Sequence, residues 1–249
     1  MKQVIYTVTD NRPIAPGVYR MALAGDTGAI TRPGQFIDIA LDGLFLRRPI
    51  SVCDWDDGSL VIIYKVVGKG TAQMSALKPG ATLDALSGLG NGYDINACPA
   101  DAVLAGGGVG VPPLYGLAKR MIAAGKRPAV VLGFNRAEEV FYADEFRALG
   151  LPVTVAIVDG NAGVKGFVTD AMPESAYACA CGPEPMLRAV HAKARGGQFS
   201  FEARMGCGFG ACMGCTIQTA NGPRRVCKDG PVFRYNEILW YCSPNKFLN

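Results

Sequence analysis

The chain has 249 residues, 49% of them hydrophobic and 18% charged, with a net charge of +4. That balance excludes a disordered chain, and the absence of any dense Lys/Arg block excludes a nucleic-acid binder. No run of about eighteen apolar residues is free of glycine, proline and charge, which excludes a membrane-spanning helix.

The length suits two domains and a small third one. The opening residues MKQVIYTVTD enter an alternating strand directly, without the apolar core of a signal peptide. Residues 1–98 read as short strands at 4–9, 18–23, 35–41, 50–53, 60–66 and 82–86, separated by proline and glycine. Even spacing of short strands predicts a small antiparallel β-barrel. A single helix is expected over 71–77, capped by Thr71 and stopped at Pro79-Gly80.

Two pieces of this barrel have the chemistry to hold a nucleotide cofactor. In Arg47-Arg48-Pro49-Ile50-Ser51 a guanidinium suits a pyrophosphate, and the strand backbone with Ser51 can reach the edge of a flavin ring. In Ile63-Tyr64-Lys65 followed by Gly68-Lys69-Gly70-Thr71, a glycine turn entering a helix makes an anion site. Either piece alone reads equally well as a solvated edge arginine or a capped turn. Their ordered co-occurrence favours the cofactor.

From Asp101 the periodicity changes. Strands at 102–105, 128–134, 152–158 and 177–181 alternate with helices reaching 124 and covering 143–149 and 184–195, which predicts an α/β parallel-sheet domain over 99–196. Gly107, Gly108 and Gly110 stand between the first strand and its helix, where such sheets bind a dinucleotide pyrophosphate. Pro112 replaces the last glycine of the usual fingerprint, and no acid closes the strand ending Gly133-Phe134-Asn135-Arg136, so NAD and NADP are not separated. Arg136 holds an adenosine-side phosphate or is simply solvated. Cys181 ends a strand at the ligand crevice beside Gly182 and Pro183, as a nicotinamide contact or as an inert buried thiol. His191, the only histidine, reads as a solvated helix residue. No residue pair resembles a general base for a carbon acid.

The segment 197–249 carries the most specific pattern. After a strand at 198–203, Cys207, Cys212 and Cys215 stand at C-x4-C-x2-C, and Cys227 follows. That is the plant-type 2Fe-2S ligand spacing, and Gly206, Gly208, Gly210 and Gly214 let the backbone close over a cluster. Structural zinc is the alternative, but it usually presents two paired knuckles. Cys53, Cys98, Cys179 and Cys242 lack partner spacing and read as packing residues. Nine cysteines, an odd number, fit a reducing cytoplasm better than a disulfide framework. Ile238-Leu239-Trp240-Tyr241 caps the core or helps build an interface, and the loop edge at 208–213, with Phe209 and Met213, is the expected point of electron crossing.

In this order Arg48-Pro49-Ile50-Ser51, Gly70-Thr71, the loop 106–113, Cys181-Gly182-Pro183 and the cysteine loop through Val226-Cys227-Lys228-Asp229-Gly230-Pro231-Val232-Phe233 resemble the electron-transfer subunits of class 1B dihydroorotate dehydrogenases. Those subunits belong to the ferredoxin–NADP reductase superfamily, and the resemblance covers essentially the whole chain. It implies an FAD barrel, a NAD domain and a C-terminal 2Fe-2S module. It also implies a separate FMN-containing barrel subunit that oxidises dihydroorotate in pyrimidine synthesis, in a heterotetramer of two plus two. Electrons would pass from FMN through the cluster to FAD and then to NAD, this chain performing the FAD/NAD half-reaction. Arg48, Pro49, Ile50, Ser51, Ile63, Tyr64, Lys65, Gly70 and Thr71 would line the FAD. Ile50 stands where many superfamily members carry a flavin-stacking tyrosine, a role Tyr64 could take. The rival readings are the flavin/iron–sulfur subunit of a sulfur-reducing hydrogenase or ferredoxin–NADP reductase complex, an iron–sulfur redox sensor, and a zinc-stapled binding module.

Overall fold

The computed structural model describes residues 1–240; Tyr241 and Cys242, expected as a capping aromatic and a packing thiol, lie outside them. Six strands come first: β1 (Lys2–Ala15), β2 (Val18–Ala24), β3 (Phe36–Ile39), β4 (Arg48–Asp56), β5 (Ser59–Lys65) and β6 (Thr82–Leu89). They close a barrel in the order β1-β2-β5-β4-β3-β6, each neighbour antiparallel. Closure removes the exposed sheet edge that short strands would otherwise present. The two-residue alternation of β6 sends Leu83 and Ala85 inward, where they meet Tyr6, Leu23, Ile37 and Ile62. β1 is long because it serves two neighbours, pairing with β6 through Thr7 and with β2 from Thr7 onward, with a register shift between Val8 and Asp10.

Helix α1 (Lys69–Ser75) follows β5 and starts two residues before the expected Thr71 cap. The second unit runs β7 (Val103–Gly107), α2 (Val111–Ala123), β8 (Ala129–Phe134), α3 (Ala143–Ala148), β9 (Val153–Ile157), β10 (Val164–Lys165), α4 (Val168–Ala171), β11 (Tyr177–Cys181), α5 (Glu184–Lys193) and β12 (Gly196–Ser200). After β13 (Thr216–Thr219) and β14 (Gly222–Arg225), which form a small hairpin of their own, β15 (Val232–Arg234) returns to the main sheet. The sheet order is β10-β9-β8-β7-β11-β12-β15, parallel throughout except for β15. From β7 the chain winds outward through β8 and β9, then crosses back to β11. The crevice between the C-terminal ends of β7 and β11 is thus the switch point where such sheets bind ligands.

Helices cover both faces. On one, Leu114, Leu117 and Met121 of α2 pack on Leu104, Val130 and Leu132; on the other, Leu187 and Val190 of α5 cover Val103, Val131 and Ala178. The strand expected at 198–203 runs instead over Gly196–Ser200 and, with β15, belongs to the large sheet. The segment that carries the cysteines therefore starts in the sheet, leaves it for the loop and comes back.

Barrel and sheet meet through α2 and through the linker after β6. A Cβ at Gly116 would lie 2.6 Å from the carbonyl oxygen of Cys53, so only glycine lets α2 approach β4 this closely. The Arg120 guanidinium lies 3.2 Å above the Trp55 ring and 3.7 Å from Asp54. In the linker, buried Tyr93 donates its hydroxyl hydrogen to the Ala180 carbonyl at 2.9 Å, and Gln198 exchanges two hydrogen bonds with the Asp94 backbone at 2.7 and 2.9 Å.

Candidate functional site

Alternation along β3 explains why the cysteine module sits where it does. Ile37 and Ile39 point into the barrel, so Phe36 and Asp38 point outward, where a free barrel would meet water. Both are buried instead. Phe36 shares a core with Leu89, Cys215, Val226, Cys227 and Phe233. The outer wall of the barrel is the floor of the cysteine module.

The four predicted ligands are brought together as two pairs, Cys207 with Cys212 and Cys215 with Cys227, and Cys227 feels the charge of Cys207. The sulfur of Cys207 accepts the N–H groups of Ala211 at 3.2 Å and Cys212 at 3.4 Å, while Cys215 accepts that of Cys227 at 3.4 Å. Desolvation opposes ionisation of Cys207, but the N–H groups of Cys212, Phe209 and Ala211 outweigh it and bring the thiol down to about 6. In the deeper pair, desolvation and then the neighbouring Cys215 push Cys227 up to about 12. Among the described residues no three His, Cys, Asp or Glu side chains surround one point as they would a single ion. The C-x4-C-x2-C interval with one further cysteine fits two irons better than the paired knuckles of a structural zinc site.

Neighbouring groups fix the loop. Arg225 grips Asp229 at 2.9 and 3.1 Å and donates to the Gly210 carbonyl at 2.9 Å, tying the loop to the turn that carries Cys227. Gly208 has φ of 74°, and a Cβ there would come within 2.2 Å of the Asp38 carboxylate. On the open side Cys212 is exposed, as are Phe209 and Met213, 42% and 52% respectively.

The flavin candidates lie one strand away. The register pairs Asp38 with Pro49 and Phe36 with Ser51, while Val52 pairs with Ile62 on β5. Arg48 lies across the start of α1, where a Cβ on Gly70 would fall 2.3 Å from its Nε; among the described residues no carboxylate pairs with it. A guanidinium held only by the Leu46 and Arg47 carbonyls, beside a glycine that makes room for it, fits a pyrophosphate. Thr71 is not the first cap residue but caps from inside the helix, its hydroxyl accepting the Gly68 N–H at 3.3 Å. It is the third residue of α1, and its hydroxyl accepts the Val67 N–H at 2.9 Å and donates to the Gly68 carbonyl at 3.2 Å, shaping the turn. Ile63 and Tyr64 are buried; Tyr64 stacks on Tyr19 and donates to Asn11 at 3.0 Å, which commits its ring to the barrel wall.

A cleft of about 540 Å³ opens at the switch point. Gly107, Gly108, Gly110, Gly182 and Pro183 line it, and so does Lys65 from the barrel. A Cβ on Gly110 would lie 2.2 Å from the Cys181 carbonyl oxygen, and one on Gly107 would lie 2.5 Å from Met186 Sδ, so the glycines let the start of α2 pack tightly against the end of β11 and the start of α5. Cys181 is buried beneath the cleft and burial pushes its thiol up to about 12, leaving it protonated and inert at neutral pH.

Two acids in this cleft carried no signal of spacing. Glu139 lines it at the end of β8, its carboxylate accepting the Asn135 N–H at 3.3 Å, whereas Arg136 is exposed and paired outward with Glu138 at 3.7 Å. Glu202 lines it near Pro183; the residue is exposed, and partial desolvation at the cleft wall raises its carboxyl above the usual carboxylate range. Of the thiols expected only to pack, Cys53 does, but Cys98 and Cys179 lie 3.4 Å apart, with Gln198 donating to Cys98 at 3.2 Å. His191 is not solvated as expected. It stacks on Tyr235 at 3.9 Å between ring centroids and bonds the Tyr235 carbonyl at 3.0 Å, because α5 lies against the segment after β15.

Comparison with known proteins converges on the same parts. Residues 202–239 match the iron-sulfur cluster binding domain of dihydroorotate dehydrogenase B, and residues 104–192 match the oxidoreductase NAD-binding domain. The dihydroorotate dehydrogenase B (NAD(+)) electron transfer subunit of Geobacillus sp. strain WCH70 is 41% identical, covering 96% of this chain and 99% of its own length. The same subunit from Geobacillus kaustophilus strain HTA426 is 43% identical, over 94% and 97%. Among solved structures, a chain of an NADH-dependent reduced ferredoxin-NADP oxidoreductase superposes with a TM-score of 0.84 at 31% identity, covering 94% of this chain and 90% of that one.

Proposed function

The chain belongs to the family of dihydroorotate dehydrogenase B (NAD(+)) electron transfer subunits, and we propose that it carries electrons from the FMN of a separate dihydroorotate-oxidising subunit to NAD+. FAD and a 2Fe-2S cluster supply the redox chemistry, since a flavin exchanges hydride on one side and single electrons on the other. The observation that supports this most is the arrangement around β3 and β4. The cysteine pairs lie on the outer face of β3, Arg48–Ser51 lie on the strand beside it, and Lys65 reaches from the barrel into the dinucleotide cleft.

Within this reading each residue has a task. Cys207, Cys212, Cys215 and Cys227 hold the cluster. Arg48 neutralises the flavin pyrophosphate, and Gly70 leaves room for it to do so. Pro49, Ile50 and Ser51 present the strand to the ring, and Ile63, Tyr64 and Thr71 shape the wall and turn around it. Gly107, Gly108 and Gly110 receive the NAD pyrophosphate at the start of α2, with Gly182 and Pro183 at the nicotinamide end above Cys181. Residues 1–98, 99–196 and 197–249 serve as flavin, nicotinamide and cluster parts. Exposed Phe209 and Met213 frame the side open to the catalytic subunit, in an assembly of two plus two. No helix of the described residues is long and apolar enough to cross a membrane, and a reducing cytoplasm suits the free thiols.

The test is co-expression with an FMN-containing dihydroorotate-oxidising subunit, followed by assay of dihydroorotate-dependent NAD reduction with FAD, iron and sulfide measured in the same sample. Activity only with both chains present is the expected result. FAD and iron without any response to dihydroorotate would keep the architecture and reject the substrate.

A further inference from the structure

A carboxylate sits where the fold has no stabilising use for one. Asp38 is only 2% exposed, and its Oδ1 has no hydrogen-bond partner among the described residues. Its outward position on β3 aims the side chain at the cysteine loop, where the missing Cβ of Gly208 would be 2.2 Å from Oδ2. The nearest cation does not satisfy it. Arg47 donates to the Asp38 main-chain carbonyl at 3.3 Å and spends its charge on Asp84, at 3.2 and 3.3 Å. On its other side Asp38 pairs with Pro49, next to Arg48 on the flavin strand. A buried acid with an open lone pair is costly, and an apolar residue at this outward position would join the core that Phe36 already shares with Cys215 and Cys227.

Resting on the assignment of the cysteine loop as the 2Fe-2S site, we propose that Asp38 is a positioning residue between flavin and cluster that seats the loop at Gly208 and lowers the cluster's reduction potential. Burial raises the Asp38 carboxyl to about 6, so the redox titration is run above that pH, where a negative charge in a poorly screened site opposes an added electron on the cluster. An electron arriving there is thereby favoured to move on to the flavin rather than rest. The loop position follows from the same contact, because only a residue without a side chain fits against the carboxylate.

The experiment is an EPR-monitored redox titration of the purified chain with FAD and cluster bound, comparing wild type with Asp38→Asn and Asp38→Ser. In both variants, with iron, sulfide and FAD content as in wild type, the cluster midpoint should rise by about a tenfold change in its one-electron equilibrium, or 59 mV. The flavin midpoint should move less. A cluster midpoint unchanged in variants that load iron normally overturns the proposal. So does failure of both variants to take up iron, since Asp38 would then serve only loop assembly. Absence of iron and sulfide from wild type would instead remove the cluster assignment itself.

Discussion

Glu139 is placed where one side chain could set the choice between two dinucleotides. β8 ends at Phe134, and the single turn over Ala137–Glu139 carries the acid back to the cleft while Arg136 turns away to Glu138. A carboxylate at the adenosine ribose would accept its hydroxyl and repel a 2′-phosphate, and we predict that role for Glu139. Hydrogen bonds to charged groups contribute about 1.5–3 kcal/mol, so Glu139→Gln should narrow the preference for NADH over NADPH by roughly ten- to a hundredfold. The readout is the ratio of kcat/KM for the two cofactors in dye reduction, and an unmoved ratio would place the acid away from the adenosine ribose. Glu202 makes a different prediction. Partial desolvation at the cleft wall raises its ionisation above the usual carboxylate range although the residue is exposed, so the native state holds that proton slightly more tightly than the unfolded chain, by an amount that solvent screening keeps small. Its contribution to stability is complete at low pH and declines as pH rises through the folded ionisation. Glu202→Gln should abolish that decline in thermal unfolding followed against pH, and should flatten the matching limb in the pH profile of NADH oxidation. Neither acid was visible in the sequence, because each acquires its role from a turn or from its place on the cleft wall rather than from spacing.

At the scale of elements, legibility followed periodicity and spacing. Six barrel strands, the four main parallel strands and the cysteine loop all carry repeats or ligand intervals that survive without a partner. The two residues of β10, the four of α4 and the three of β15 are too short to show a period, and β12 joined the sheet on pairing with β11 rather than on its own pattern. The start of α1 was misplaced for a related reason. A hydroxyl three residues into a helix can serve the preceding turn as well as a cap can, and Thr71 does so. The glycine loop, expected to meet a dinucleotide, approaches the end of β11 closely in the structure. In Gly110→Ala the new methyl would meet the Cys181 carbonyl at 2.2 Å, and backbone yields little. The expected cost is about 1–3 kcal/mol of overpacking, seen as a lower Tm. The displaced loop should raise KM for NADH at least tenfold while FAD content stays at the wild-type level. A variant with normal KM would show that the loop tolerates the shift and that dinucleotide binding does not depend on this approach.

Across the whole molecule, three cofactor regions must keep their spacing while belonging to different parts of the chain. The flavin and nicotinamide regions are locked by α2 against β4, through Gly116, Arg120 and Trp55. The cysteine module is held to the barrel by Phe36 and by Asn91, whose amide donates to the Asp229 and Val232 carbonyls at 3.1 and 2.7 Å and accepts the Val232 N–H at 3.1 Å. These are separate attachments, so they can be loosened separately. Asn91→Ala removes three hydrogen bonds on the cluster side and none between α2 and β4. At about 1 kcal/mol each, with a further penalty for the partners left unsatisfied, the module should be destabilised by a few kcal/mol. Stopped-flow reduction by NADH resolves the consequence, since flavin bleaching and cluster reduction are followed at different wavelengths. Flavin reduction should keep its wild-type rate while the following cluster phase slows several-fold. Equal slowing of both phases would mean that the cluster module also supports the flavin–nicotinamide geometry, and that the molecule behaves as one rigid body rather than as a reductase with a cluster attached.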